Sequence, residues 1–148
     1  MKKLLFLFAV SIVSVTCFSQ KLSAAKVPQA VKDGLKKAHP AAAATWEMED
    51  ANYEANFKES GKTMSCVIDK RGTILETETE TSLSGLPQTA RTYIDAHYKG
   101  KRTKEIAKIE KAGGQSSYEV VFSNGKEVLF DANGNFKEVE KKEKREKD

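Results

Sequence analysis

Val27-Pro28-Gln29-Ala30 begins a stretch that the chain repeats, with changes, from Leu86-Pro87-Gln88-Thr89 onward. Each copy runs from its proline through a Tyr-Glu pair and a Gly-Lys turn to an aspartate that is followed three residues later by glycine. The order is kept although the loops differ in length, which is typical of a tandem duplication. The matching segments are Tyr53-Glu54-Ala55 with Tyr118-Glu119-Val120, Gly61-Lys62 with Gly125-Lys126, and residues 69–72 with residues 131–134.

Each copy starts with the pattern of an amphipathic helix. Val27, Val31 and Leu35 recur every four residues, and the second copy keeps a helical spacing over residues 87–97. Proline suits the first turn of a helix because its missing N–H would be unpaired there anyway. His39-Pro40 ends the first helix, since proline disfavours helical geometry in the residue before it.

After each helix in the sequence, four short segments alternate between apolar and polar residues, which is the pattern of β-strands. Tyr53, Ala55 and Phe57 face one way in such a segment, and Glu54 faces the other. Short turns such as Asn124-Gly125 join the segments. Neighbouring segments are therefore predicted to pair as an antiparallel meander.

The chain is predicted to be an α+β protein with two tandem repeats, each a helix followed by a four-stranded antiparallel sheet. A unit of roughly 60 residues is marginal alone, which favours one continuous sheet with both helices on one face. The opposite face is predicted to be open and polar. The predicted core consists of Val27, Val31, Leu35, Trp46, Met48, Tyr53, Phe57, Cys66 and Ile68 in the first repeat, and of Ile94, Tyr118, Val120, Phe122, Val128 and Phe130 in the second.

The N-terminus has the pattern of a secretory signal peptide. A basic start precedes an apolar run over residues 4–15, and small residues at Cys17 and Ser19 suit cleavage before Gln20. We expect an exported protein, periplasmic or secreted. A second interpretation makes Cys17 the acylated N-terminus of a lipoprotein. The predicted boundaries are a signal peptide at 1–19, repeats at 20–82 and 83–141, and a charged disordered tail at 142–148.

Charge and hydropathy bear on the classes of partner. The formal net charge is +4, and removal of the leader takes two lysines away and lowers it to +2. Basic and acidic residues nearly cancel in the tail, so no one-signed basic stripe suggests nucleic-acid binding. The apolar run of the leader is shorter than the roughly 20 residues that span a bilayer as a helix. We expect neither a nucleic-acid partner nor a membrane span.

No group of residues has the spacing of a catalytic site. Cys66 alternates with Met64 and Ile68, which places it in the core rather than at a nucleophilic site. His39 and His97 lie near the helix ends, and neither has a neighbour at metal-ligand spacing. We therefore expect no enzymatic activity and no cofactor or metal.

One turn is similar to the start of a calcium loop. Asp131-Ala132-Asn133-Gly134-Asn135 offers oxygen ligands at alternate positions. The glycine stands at the fourth position rather than the sixth, and Lys142 occupies the twelfth, where such loops carry glutamate. A turn between two strands explains these residues without an ion.

A strand rich in glutamate marks the candidate interaction face. Glu76, Glu78 and Glu80 alternate with threonines and so project from one face. They can bind a divalent cation or a basic partner, or they can keep an exposed face soluble. The candidate interaction face consists of Glu47, Glu49, Glu54, Lys58, Glu76, Glu78 and Glu80.

The order of these motifs resembles that of the PepSY-like, beta-lactamase-inhibitor-like family of exported proteins, found mainly in Bacteroidetes. The resemblance covers residues 27–140 and includes the two helix starts, Trp46-Glu47, both Tyr-Glu pairs and the segment Leu75-Glu76-Thr77-Glu78. It implies a duplicated helix-plus-sheet fold, similar to that of proteins that grip a beta-lactamase with a concave sheet. No functional residue is carried over from the family.

Two functions are weighed on this basis. The first is an exported, non-enzymatic binding module of the cell envelope that recognises a protein partner through its open sheet face, as an inhibitor-like protein does. The alternative is a periplasmic binder of a small molecule or divalent cation.

Overall fold

The computed structural model describes residues 21–141, which form one antiparallel sheet with two α-helices on the same face. The predicted signal peptide, Cys17 and the predicted tail lie outside the described residues. The helices are α1 (Gln29–Ala38) and α2 (Gln88–His97), each preceded by a short 3-10 turn. The strands are β1 (Lys21–Leu22), β2 (Thr45–Glu49), β3 (Asn52–Glu59), β4 (Lys62–Ile68), β5 (Ile74–Glu80), β6 (Thr103–Lys111), β7 (Ser116–Phe122), β8 (Lys126–Asp131) and β9 (Phe136–Lys141).

Every strand pairs with the next one along the chain, so the strand order in space equals the order in sequence. The join between the two repeats is the β5–β6 pair, in which Glu78 lies opposite Ile109. This pairing makes one sheet out of two units and confirms the predicted fold class. A ninth strand, β1, was not predicted; its two residues pair with Trp46 and Glu47 of β2.

Each helix covers its own hydrophobic cluster on the same face of the sheet. Val31 and Leu35 of α1 pack on Trp46, Phe57 and Ile68. The α2 cluster contains Leu86, Ala90, Ile94, Ile106, Val120, Phe122, Val128 and Phe130. Full burial of a side chain such as Val, Leu or Phe contributes about 1.5–3 kcal/mol, so these two clusters are the main source of stability.

The predicted core was largely correct, with three exceptions. Met48, Tyr53 and Tyr118 are only partly buried. Met48 and Tyr53 pair with each other at the end of the β2–β3 hairpin that is nearest its turn, where the sheet is less covered. Buried apolar residues that the prediction omitted are Ala55, Leu86, Ala90, Ile106, Ala107, Ile109 and Val121.

The face opposite the helices is not wholly polar, contrary to the prediction. Ile106 faces the helices, but Ala107, Ile109 and Val121 lie on the opposite face and are buried there. Large twisted sheets curl, and a curled sheet crowds the side chains on its inner face. These apolar side chains therefore form part of the surface of the inner face, and longer polar side chains surround them.

In each repeat, the turn that carries the Asp-x-x-Gly motif lies against the start of the repeat's own helix. Gly72 has a φ of +88°, and a Cβ on it would lie 2.2 Å from the carbonyl oxygen of Ala30. Gly134 has a φ of +81°, and a Cβ there would lie 2.8 Å from the backbone nitrogen of Ala90. Only glycine combines this backbone conformation with such close backbone contact.

Candidate interaction surface

The inner face of the sheet, opposite the helices, encloses a concave space of about 590 Å³. We call this space the acidic hollow, because among residues 21–141 seven carboxylates from both repeats line it together with one cation, Lys104. The seven are Glu47, Glu49, Glu54, Glu78, Glu80, Glu105 and Glu119.

The strand register decides which side chains meet in the hollow. Asn56 lies opposite Ser65, and Ser65 lies opposite Glu78, so β3, β4 and β5 place these three side chains in one row. Thr45 of β2 extends the row on the Asn56 side. Directly opposite residues on neighbouring strands are about 5 Å apart, so the row is a continuous polar floor.

The carboxyl of Glu78 has a strongly perturbed pKa. Partial burial is the largest cause of a Glu78 pKa that is raised to about 7, because the charged form loses hydration. Negative charges on its own strand and on neighbouring elements act in the same direction, and they belong to Glu76, Glu105, Glu54 and Glu49. Near neutral pH, Glu78 therefore exists in both its protonated and its ionised form.

Five of the seven residues of the candidate interaction face line the hollow: Glu47, Glu49, Glu54, Glu78 and Glu80. Glu76 shares their face but bonds Lys111 of β6, with 3.2 Å between Oε2 and Nζ. Lys58 is exposed and lies opposite Thr63, beside the hollow. Glu80 Oε2 accepts a hydrogen bond of 3.3 Å from the Thr63 N–H, and contacts with Thr63 lower the pKa of Glu80.

Sequence reasoning missed the contribution of the second repeat. Lys104, Glu105 and Glu119 line the same hollow, on β6 and β7. The signal for Glu119 was present, because Tyr118-Glu119-Val120 is the copy of Tyr53-Glu54-Ala55 and an equivalent strand presents its glutamate to the same face. Glu105 follows a register shift between Thr103 and Glu105, which no pattern in the sequence indicates.

Ser65 stands out on the floor of the hollow. Only 9% of its surface is exposed, yet it lines the concave space. Among residues 21–141, the Ser65 hydroxyl has no hydrogen-bond partner in another side chain or in the backbone. No side-chain nitrogen or oxygen atom of the described residues is both enclosed and without a partner, so the Ser65 hydroxyl reaches the hollow and is available to a group that enters it.

The other candidate residues, Cys66, His39 and His97, do not line the hollow, and their contacts are those of structural residues. Cys66 is fully buried, 3.5 Å from the Thr77 hydroxyl, and burial raises the pKa of its thiol. His39 follows α1, and its Nδ1 lies 2.8 Å from Glu59 Oε2. His97 is exposed, and its ring stacks on Tyr93 at 4.1 Å.

The turn over residues 131–135 is similar to the start of a calcium loop, but the Asp131 carboxylate accepts hydrogen bonds from within the turn itself. Asp131 Oδ1 accepts hydrogen bonds of 2.9 Å from the N–H groups of Asn133 and Asn135. The hydrogen bonds from Asn135 are the main cause of a lowered Asp131 pKa. Among the described residues, no three His, Cys, Asp or Glu side chains are grouped so that they could hold a metal ion.

Fold and hollow together define a class: duplicated helix-plus-sheet proteins with a concave, polar sheet face. A model of the family described as "beta-lactamase-inhibitor-like, PepSY-like" matches residues 13–76, 68–115 and 116–146. The chain therefore belongs to the PepSY-like family. Within residues 21–141, neither helix has the length and apolar character needed to cross a membrane.

Several solved structures have the same fold. A BLIP-like protein from Bacteroides fragilis is 25% identical, with a TM-score of 0.65 over 81% of this chain and 92% of that one. A periplasmic protein from Bacteroides eggerthii is 18% identical, with a TM-score of 0.72 over 77% and 88%. A DUF2874 family protein from Bacteroides uniformis is 20% identical, with a TM-score of 0.69 over 76% and 88%. No curated protein matches the chain.

Proposed function

We propose that this protein is an exported, non-enzymatic binding module that recognises another protein through the acidic hollow. The observation that carries this proposal is the convergence of carboxylates from both repeats on one concave face, around a partly apolar floor. Concave sheet faces are suited to receive a protruding loop or strand of a partner. The family description and the BLIP-like relative support an inhibitor-like role.

Charge complementarity indicates the chemistry of the partner. The charges of Glu76, Glu105, Glu54 and Glu49 all act on Glu78 and give the hollow a negative potential around this residue, although the chain as a whole carries a formal charge of +4. A concave surface with low-dielectric walls focuses such a field and accelerates the approach of an oppositely charged partner. The partner is therefore a protein that presents a segment rich in lysine or arginine.

The export part of the proposal rests on the leader at residues 1–19 and on the periplasmic description of the Bacteroides eggerthii relative. Cleavage before Gln20 releases the chain into the periplasm or the medium, whereas acylation at Cys17 anchors it as a lipoprotein. Mass spectrometry of the mature protein distinguishes these two products, because an acylated N-terminus adds the mass of its lipid chains.

The experiment that tests partner recognition is affinity capture from an envelope extract with two charge-matched variants. Glu80→Lys with Glu105→Lys reverses two exposed carboxylates of the hollow, while Asp33→Lys with Asp95→Lys reverses two exposed carboxylates on the helices. We expect the wild type and the helix variant to capture the same protein, and the hollow variant to lose it. Equal capture by both variants, or no protein enriched by the wild type, contradicts the proposal.

The alternative, binding of a divalent cation or small molecule, makes a different prediction. A ligand that binds only the folded state raises the melting temperature. We expect no rise with millimolar calcium or magnesium, because the carboxylates of the hollow are spread over the sheet rather than grouped around a point. A rise that the Glu80→Lys, Glu105→Lys variant abolishes supports the cation binder instead.

A further inference from the structure

We propose that the row Asn56, Ser65 and Glu78, on the floor of the acidic hollow, binds a single arginine side chain of the protein partner. This inference rests on the proposed function and names the position at which the partner is anchored. The three residues belong to adjacent strands and are cross-strand neighbours, and all three line the hollow.

The first reason is the state of Ser65. This side chain is nine-tenths buried, points into the hollow and has no hydrogen-bond partner within residues 21–141. No side-chain nitrogen or oxygen atom of the described residues is both enclosed and without a partner, so the Ser65 hydroxyl is accessible from the hollow. A ligand that enters the hollow can therefore donate a hydrogen bond to the Ser65 oxygen.

The second reason is the set of acceptors on either side of Ser65. The Asn56 amide oxygen and the Glu78 carboxylate lie one strand away in each direction, so three acceptors stand in line over about 10 Å. None of the hydrogen bonds within residues 21–141 involves the Asn56 amide. The site therefore suits a group with several donors and a positive charge.

Arginine fits this set better than other cations. Its planar guanidinium carries five donors, can bind a carboxylate through two parallel bonds and is weakly hydrated, which favours a partly buried site. A lysine ammonium concentrates three donors at one strongly hydrated point. A metal ion requires several ligands around one centre, and the residues described here contain no such group.

The charges around Glu78 support the same conclusion. Glu76 on its own strand, Glu54 and Glu49 on the first-repeat side, and Glu105 on β6 all disfavour its ionisation. A bound guanidinium offsets this repulsion and lowers the pKa of Glu78 from about 7. Binding below neutral pH is then accompanied by release of a proton, and affinity rises with pH up to about 7.

The test is a titration of the ¹⁵N-labelled protein with capped arginine, N-acetyl-arginine methylamide, followed by amide chemical shifts. Capped citrulline, which has nearly the same shape without the charge, and capped lysine are the matched probes. We expect arginine to bind with a millimolar Kd and to shift the amides of Asn56, Ser65 and Glu78 most. Lysine is expected to bind several-fold more weakly and citrulline about tenfold more weakly.

Variants locate the site. Ser65→Ala and Glu78→Gln are each expected to raise the arginine Kd about five- to tenfold, whereas Asp95→Asn on α2 removes an equal charge and leaves it unchanged. Equal binding of citrulline, shifts spread evenly over the sheet, or an unchanged Kd in Ser65→Ala overturns the arginine site. In that case loss of capture by the Glu80→Lys, Glu105→Lys variant still supports the proposed function, so the two proposals fail separately.

Discussion

Gly34 of α1 and Gly72 of the β4–β5 turn are in direct backbone contact. A Cβ on Gly34 would lie 2.1 Å from the carbonyl oxygen of Gly72 and 3.0 Å from its Cα. The contact fixes the distance between helix and sheet in the first repeat. In the second repeat, Tyr93 of α2 occupies the position equivalent to Gly34. The turn glycine of that repeat, Gly134, lies against Pro87 and Ala90 instead.

Gly34→Ala is expected to destabilise the protein by about 1–3 kcal/mol, the usual cost of overpacking. Helix propensity alone predicts the opposite sign, since alanine is favoured over glycine in a helix by about 1 kcal/mol. Urea denaturation measures the difference. Lys37→Ala, an exposed change on the same helix, should stay within about 0.5 kcal/mol of the wild type. A stabilised Gly34→Ala variant would show that the helix can move away without cost.

Glu78 gives the protein a characteristic dependence of stability on pH. Its pKa is 4.5 in the unfolded chain and about 7 in the fold, so the folded state binds more protons between these values. The free energy of unfolding therefore falls as the pH rises from 4.5 to about 7. Glu78→Gln should remove this fall and be more stable than the wild type at pH 8 by roughly 1–3 kcal/mol. Parallel pH profiles for the two proteins would contradict the assignment, and Asp95→Asn serves as the control.

Asp69 and Asp131 make the free energy of unfolding depend on pH in the direction opposite to that of Glu78. The pKa of each is lowered, mainly by hydrogen bonds from the turn: Thr73 N–H for Asp69 and Asn135 for Asp131. Their stabilising effect is present above the ordinary pKa of 3.8 and is lost as the pH falls through the lowered value. The double variant Asp69→Asn, Asp131→Asn should be less stable than the wild type at pH 7, with a difference that narrows in acid. Thermal melts at pH 7 and pH 3 test this, and a difference that does not narrow refutes it.

His39 connects the end of α1 to β3. Its Nδ1 lies 2.8 Å from Glu59 Oε2, and its ring lies 4.9 Å from the ring of Phe57. We expect His39→Ala to lower the free energy of unfolding by about 1–2 kcal/mol, since a charged hydrogen bond and an aromatic contact are lost. His97→Ala, at the exposed end of α2, should cost less in the same urea titration. Equal costs would contradict a larger contribution of the Glu59 and Phe57 contacts than of the stacking of His97 on Tyr93.

The fold could be predicted from the sequence because the duplication, the helical spacing of apolar residues and their alternation along the strands all indicate the same architecture. The sequence could also place Glu76, Glu78 and Glu80 on one face, since side chains alternate strictly along a strand. It could not predict that Ile109 is buried on the face opposite the helices, because that depends on how strongly the whole sheet curls. The position of Glu105 depends on a local register shift. The lack of a hydrogen-bond partner for the Ser65 hydroxyl within residues 21–141 depends on all of its neighbours in the fold.

The pairing of β5 with β6 gives the duplication a functional meaning. Glu78 and Glu80 stand on one side of this pair and Glu105 stands on the other, so the hollow is assembled across the boundary between the two copies. A gene that encoded one copy would specify a helix and a sheet but only part of the lining of the hollow. Under the proposed function, selection for a partner acts on both copies together, and each copy can diverge only as far as the shared surface allows.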